Sequence, residues 1–163
     1  MNDKRHVLSI LVENEPGVLS RVAGLFSGRG FNIESLNVGP TLDKGVSVMT
    51  ITTVGDDVII EQIVKQLRKL VMTIKVVDLT EHKSVEREMV LIKVNAEDSR
   101  RAEILRIVDI FRCKVVDVSP DELTVEATGD QGKIKAIINM LTRFGVKEIA
   151  RTGTVALKRS LQD

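Results

Sequence analysis

The 163-residue chain has no tryptophan, no tyrosine and a single cysteine, and each shortage removes a class of function. With only 4 phenylalanines as aromatic platforms, stacking on bases or sugar rings lacks its usual anchors. A formal net charge of +1 gives no broad attraction for phosphate backbones, so nucleic acid is not an expected partner. Cys113 alone excludes a disulfide framework within the chain, and no Cys/His cluster offers a metal site. That usage fits a cytoplasmic protein. No stretch reaches the roughly 18 apolar residues needed to span a membrane. The N-terminal MNDKRHVLSILVENEP has a short apolar run interrupted by Ser9, with no small-residue cleavage pattern after it, and reads as a strand rather than a secretory signal.

What is present is aliphatic mass and balanced charge: 43% hydrophobic and 29% charged residues, enough for a packed core and for solubility. His6 to Val12 places Leu8, Ile10 and Val12 on one face and Val7, Ser9 and Leu11 on the other, which predicts a strand buried on both sides. Asn14-Glu15-Pro16-Gly17 breaks it. Val18, Val22, Leu25 and Phe26 then recur at helical spacing, and Gly28-Arg29-Gly30 ends the helix. Phe31 to Val38 and Val46 to Val54 read as strands joined by a hairpin loop over Gly39 to Gly45. Asp56 or Asp57 caps a helix that turns Ile60, Ile63, Val64, Leu67 and Leu70 inward and pairs Glu61 with Lys65 outside, and Val71 to Leu79 is a fourth strand.

This order, β-α-β-β-α-β, is the ferredoxin-like plan of four antiparallel strands with both helices on one face. A sheet covered on one face needs cover on the other, so this half is expected to pack against a second copy or another domain. Thr80 to Arg87, TEHKSVER, is the one sustained polar stretch without periodicity and marks the boundary. The plan then repeats: a strand over Met89 to Ala96, a helix capped by Asp98 with Leu105, Val108 and Phe111 inward, and a hairpin of Lys114 to Ser119 and Leu123 to Thr128 across Pro120-Asp121. A helix opened by Asp130 carries Ile134, Ile137, Ile138 and Leu141 and stops near Gly145, and Val146 to Leu157 is a final extended segment. The expected fold class is α+β, two tandem ferredoxin-like β-α-β-β-α-β domains over 1–80 and 81–163, alike in order but not visibly in sequence.

The inventory for catalysis is poor. His6 starts a strand and His82 lies in the boundary stretch, and neither has a neighbour at ligand or dyad spacing, so both read as structural or solvated. Cys113 has nothing nearby to lower its pKa. Asp56-Asp57 and Asp121-Glu122 sit where carboxylates cap helices and form turns. Residues 13–36, ENEPGVLSRVAGLFSGRGFNIESL, contain glycines beside a helix start, but neither a dinucleotide fingerprint nor a P-loop is present. Gly17 is alone at the helix start, whereas Gly28 and Gly30 lie at its far end. Two readings stay open on these grounds. The free N–H groups of Gly17, Val18 and Leu19 favour one small anion, by about 0.3 to 1 kcal/mol at an exposed site; or the stretch is a tight turn with Asn14 as turn former.

ENEPGVLSRVAGLFSGRGFNIESL closely resembles the start of the small, regulatory subunit of acetohydroxyacid synthase, also called acetolactate synthase, whose first domain is an amino-acid-sensing ACT domain. The resemblance continues through MTITTVG (Met49 to Gly55), EQIVKQLRKL (Glu61 to Leu70), VEREM (Val85 to Met89) and FRCKVVDVSP (Phe111 to Pro120), so it covers essentially the whole chain. It implies a non-catalytic subunit in branched-chain amino-acid biosynthesis. The catalytic large subunit, a separate chain, would hold thiamine diphosphate, magnesium and FAD, and this chain would hold no cofactor. It further implies a homodimer through ACT domains that binds valine, activates the partner and confers feedback inhibition. Residue by residue, Asn14 would bind the effector's polar groups, Gly17 would allow close backbone approach, and the amides of Gly17, Val18 and Leu19 would face its carboxylate. Asn32, with Ile33 behind it, would come from the partner chain, with Leu36 and Gln62 as weaker candidates. Gly39 stands where the family carries a small residue such as alanine. The alternative is a stand-alone ACT-type amino-acid sensor acting on another partner.

Overall fold

A computed structural model describes residues 3–161. The first unit runs β1 (Lys4–Glu13), α1 (Val18–Ser27), β2 (Ile33–Pro40), β3 (Val46–Gly55), α2 (Asp57–Lys69) and β4 (Thr73–Asp78). Its sheet has the order β2-β3-β1-β4, with every neighbouring pair antiparallel. The period-two pattern of β1 explains why this strand is central. Leu8, Ile10 and Val12 are fully buried in one cluster with Val22 and Phe26 of α1 and Ile63 and Leu67 of α2. Each such side chain contributes about 1.5 to 3 kcal/mol by leaving water. On the opposite face Val7 is also buried, against Leu79 and Ala156. β1 is therefore buried along its inner face, whereas on its outer face Val7 is buried and Ser9 and Leu11 are half-buried, less than its composition predicts.

The helix ends follow local chemistry. Asp56 is the cap of α2, its Oδ1 accepting from Val58 N at 2.8 Å, and Glu61 pairs with Lys65 at 2.9 Å across one turn. β4 is shorter than the expected 71–79, because Val71 is 92% exposed and Leu79–Glu81 forms a short 3-10 turn capped by Asp78. At the end of β3, Gly55 has a packing role: the Phe31 ring fills the space a Cβ would need.

The second unit contains most of β5 (Ser84–Asn95), then α3 (Asp98–Ile110), β6 (Lys114–Val118), β7 (Glu122–Gly129), α4 (Gln131–Thr142) and β8 (Val146–Arg151), with sheet order β6-β7-β5-β8. Val90, Ile92, Val94, Leu123 and Val125 meet Ile104, Ile107, Ile134 and Ile137 in its core. Asp130 caps α4 through Lys133 N at 2.9 Å. Arg101 ties the start of α3 to the β6–β7 turn by donating to the carbonyls of Ala96, Ser119 and Pro120 at 2.6 to 3.1 Å. Glu88, buried, receives a two-pronged bond from Arg151 at 2.6 and 3.1 Å, and that bond raises the guanidinium's pKa.

The expectations for α3 and for the last extended segment are corrected here. In α3, Asp98 is the first helical residue and not the cap, and Leu105 is 40% exposed while Ile104 and Ile107 are buried. Apolar residues on several sides of that helix blur its periodicity. The compact units also differ from a 1–80 and 81–163 division: the first spans residues to Val85 and takes back the chain from Thr154, and the second is Glu86–Gly153. The polar TEHKSVER stretch is a packed turn followed by the start of β5, not a free linker. The final segment is two strands, β8 and β9 (Val155–Lys158), and β9 pairs with β5.

Replacing Gly55 by alanine is expected to displace the Phe31 ring and destabilise the first unit by about 1 to 3 kcal/mol. Thermal or urea unfolding of Gly55→Ala checks this, and a wild-type midpoint would refute the packing role.

Candidate functional site

The loop between β1 and α1 is built to leave backbone amides open. Val18, Val22 and Phe26, spaced one turn apart, are buried and fix the helix on the sheet. Gly17 is its N-cap with φ +85°, a conformation strained for any residue with a side chain, and no side chain caps the helix. Val18 N–H reaches Glu15 O only at a long 3.5 Å, and Arg21 N–H closes the first helical bond to Gly17 O at 3.1 Å. A helix start without a side-chain cap leaves first-turn amides for water or an anion. Asn14 anchors the loop through its own amide, which donates to Gly45 O at 2.8 Å, and its side chain is exposed. The Val18 side chain belongs to the core, whereas Leu19 is 46% exposed beside the open amides.

Asn32 and Ile33 lie at the other end of the sheet. Ile33 pairs with Thr53, which pairs with His6, while Glu13, just before the loop, pairs with Val46. The two groups of candidate residues are thus separated by roughly 23 Å of strand within one chain. One chain brings Asn14, Gly17, Val18 and Leu19 together, and Asn32 with Ile33, but not the two sets with each other. Leu36 packs partly on the core, and Gln62 accepts from Arg29 at 3.1 Å. Gly39 has open space where a Cβ would stand, so the strand accommodates alanine there equally well.

The structure adds residues that sequence reading did not single out. Thr53 Oγ1 donates to Asn32 O at 2.6 Å, and Phe31, seated over Gly55, fixes the chain immediately before Asn32. Ser35 Oγ lies 2.5 Å from Thr52 Oγ1. The signal in the sequence is the threonine run of MTITTVG, whose partners only the strand register reveals. His6 is buried, its Nε2 at 3.2 Å from both Gly55 O and Asp57 Oδ1; since both accept, Nε2 carries the hydrogen. It joins β1 to the start of α2, and His82 is exposed. Among the described residues no group of three or more His, Cys, Asp or Glu could hold a metal ion, and no helix is long and apolar enough to cross a membrane.

Residues 8–75 match a family model described as AHAS small subunit-like ACT domain, and residues 87–160 match one described as small subunit of acetolactate synthase. A relative from Aquifex aeolicus named acetolactate synthase small subunit is 57% identical, covering 97% of this chain and 83% of its own. The chain belongs to the family of acetolactate synthase small subunits. A relative of this small subunit from Archaeoglobus fulgidus, named probable acetolactate synthase small subunit, is 54% identical over 95% of this chain and 97% of its own. The crystal structure of the acetolactate synthase small subunit from Thermotoga maritima superposes with a TM-score of 0.86 at 48% identity, covering 96% of this chain and 98% of that one. The chain is thus a regulatory small subunit with an ACT domain in its first unit, and membership of this family implies a catalytic partner subunit.

Cys113 of the small subunit is half-buried, and burial pushes its thiol pKa up against a smaller opposing effect of Lys133. The thiolate is the reactive form, so alkylation by iodoacetamide at pH 7.5 is expected to be several-fold slower in the folded protein than in urea. Equal rates by mass spectrometry would show that burial does not suppress the thiol's reactivity.

Proposed function

We propose that the small subunit binds valine between the ACT domains of two copies and uses it to inhibit a catalytic subunit that it otherwise activates. The observation that carries this reading is the uncapped start of α1 at Gly17, with its amides open and Asn14 and Leu19 exposed beside it. The amides suit a carboxylate, Asn14 suits the remaining polar groups, and a partly apolar surround suits an aliphatic side chain. β2 is an edge strand, with β3 as its neighbour in the sheet. Antiparallel pairing of β2 with its copy would set Ile33 of one chain near Pro40 of the other. Pro40 pairs with Ser47, next to Val46 and the Glu13 end from which Asn14 departs. Two-fold symmetry would thereby bring Asn32 and Ile33 of one chain to the Asn14–Leu19 loop of its partner, which a single chain cannot do.

In this reading the chain itself performs no chemistry. Thiamine diphosphate, magnesium and FAD belong to the catalytic chain, which joins two pyruvates, or pyruvate and 2-oxobutyrate. Valine binding shifts that chain between more and less active states, with a coupling typically about 1 to 3 kcal/mol.

Gly17→Asp would add a carboxylate where the ligand's should sit and a side chain at a left-handed position. Loss of valine inhibition with activation largely retained is expected, measured as acetolactate formation by the reconstituted complex. Asn14→Ala, which leaves the loop backbone alone, should weaken valine binding about tenfold by calorimetry. Unchanged valine sensitivity in both variants would refute the site. Turnover by the isolated small subunit would refute the non-catalytic reading.

A further inference from the structure

The helices cover one face of the first sheet, and the chain covers only part of the other. Val7 is sealed beneath Leu79 and Ala156, but farther along the same face Leu11 borders an open trough of about 360 Å³. Val48 of β3 and Val77 of β4 extend its apolar floor, and Leu157 of β9 forms a wall while 78% exposed. A leucine held out beside an apolar floor marks a contact surface for another macromolecule. Lys75 and Lys158 stand among the lining residues, and among the described residues no carboxylate lines the trough.

The sign of that charge selects the occupant. A second copy seated here by two-fold symmetry would present the same patch to itself, lysines toward lysines. A free small molecule would stay largely exposed, whereas small-molecule sites bury most of their ligand. We propose that this face, floored by β1, β3 and β4 and walled by β9, docks an aliphatic segment of the catalytic subunit that carries carboxylates to meet Lys75 and Lys158. The proposal rests on the reading that this chain activates a catalytic partner. It places a docking surface on the first unit and its returning C-terminal strand, on the outer face of the sheet and reaching Leu11 near the start of the Asn14–Leu19 loop.

The test uses the full small subunit and its catalytic subunit. Leu157→Asp, and separately the pair Lys75→Glu with Lys158→Glu, alter exposed side chains. Each is expected to weaken binding to the catalytic subunit about tenfold or more, read by titration of activation and by calorimetry. The loss in the charge-reversed variant should shrink as salt is raised. Thermal melts and valine titrations of the variants alone should match wild type. Wild-type affinity in both variants would overturn the docking face, as would a loss confined to self-association of the small subunit in sedimentation. If the unaltered small subunit neither binds nor activates the catalytic chain, the reading of its function falls and this face falls with it.

Discussion

Each sheet in this protein has two faces, and the ferredoxin-like plan supplies helices for only one. The remaining face must be covered, charged or given to a partner, because apolar strand surface left in water forfeits the burial that holds the fold together. The two units answer differently. In the first, β1 carries aliphatic residues on both faces, and the chain returns after Gly153 to lay Ala156 over Val7 and Leu79. In the second, the outer face is charged: Lys93 bonds Glu148 at 2.8 Å, Lys147 bonds Glu122, and the Glu148 bond raises the Lys93 pKa. These pairs are solvent-exposed and add little stability, but they keep that face compatible with water.

The same sheet geometry decides what a single chain can bind. A strand is a stiff spacer, and β1 with β3 holds the Asn14–Leu19 loop and the Asn32–Ile33 segment at opposite ends. Both ends are held by hydrogen bonds to residues outside the proposed site. Asn14 N–H is fixed on Gly45 O, and Asn32 O on Thr53 Oγ1. The Phe31 ring over Gly55 braces the chain before Asn32. The proposed site, which needs both ends, therefore needs a second molecule, and the edge strand β2 is where the proposal seats it.

What the sequence reveals divides along the range of the interaction. Caps, periodic faces and turns are local, so Asp56, Asp130, the Val18-Val22-Phe26 stripe and the doubled β-α-β-β-α-β order are all legible without coordinates. α3 misleads because its apolar residues do not keep to one side, which leaves Leu105 and Ile104 indistinguishable by spacing. The polar TEHKSVER stretch misleads for another reason. Composition marks exposure, but it does not mark pairing, and Arg159 N–H donating to Lys83 O at 2.8 Å is a contact across nearly half of the chain. Thr53, Ser35 and Gly55 escape notice likewise: each acts through register, which a single strand's sequence does not contain. In the candidate loop, the uncapped helix start and the lone Gly17 are readable, and the separation of the two half-sites is not.

The two surfaces proposed for this subunit share structure, which bears on how one could influence the other. β2 begins at Ile33, and Ser35 on it lies 2.5 Å from Thr52 Oγ1 and accepts from Thr154 N–H at 3.5 Å. Thr154 opens the segment whose Ala156, Leu157 and Lys158 line the open trough. A ligand that draws Asn32 toward a partner chain pulls on β2, and β2 is tied to one wall of the docking face through Ser35. Packed strands do not deform continuously, so the tension is relieved by a change in which arrangement is populated. Under the proposed reading, linkage requires symmetry in the binding energies: whatever factor valine would impose on affinity for the catalytic subunit, that subunit would impose on affinity for valine. The proposed regulation needs nothing more than this, two proposed sites on one sheet and a strand that belongs to both.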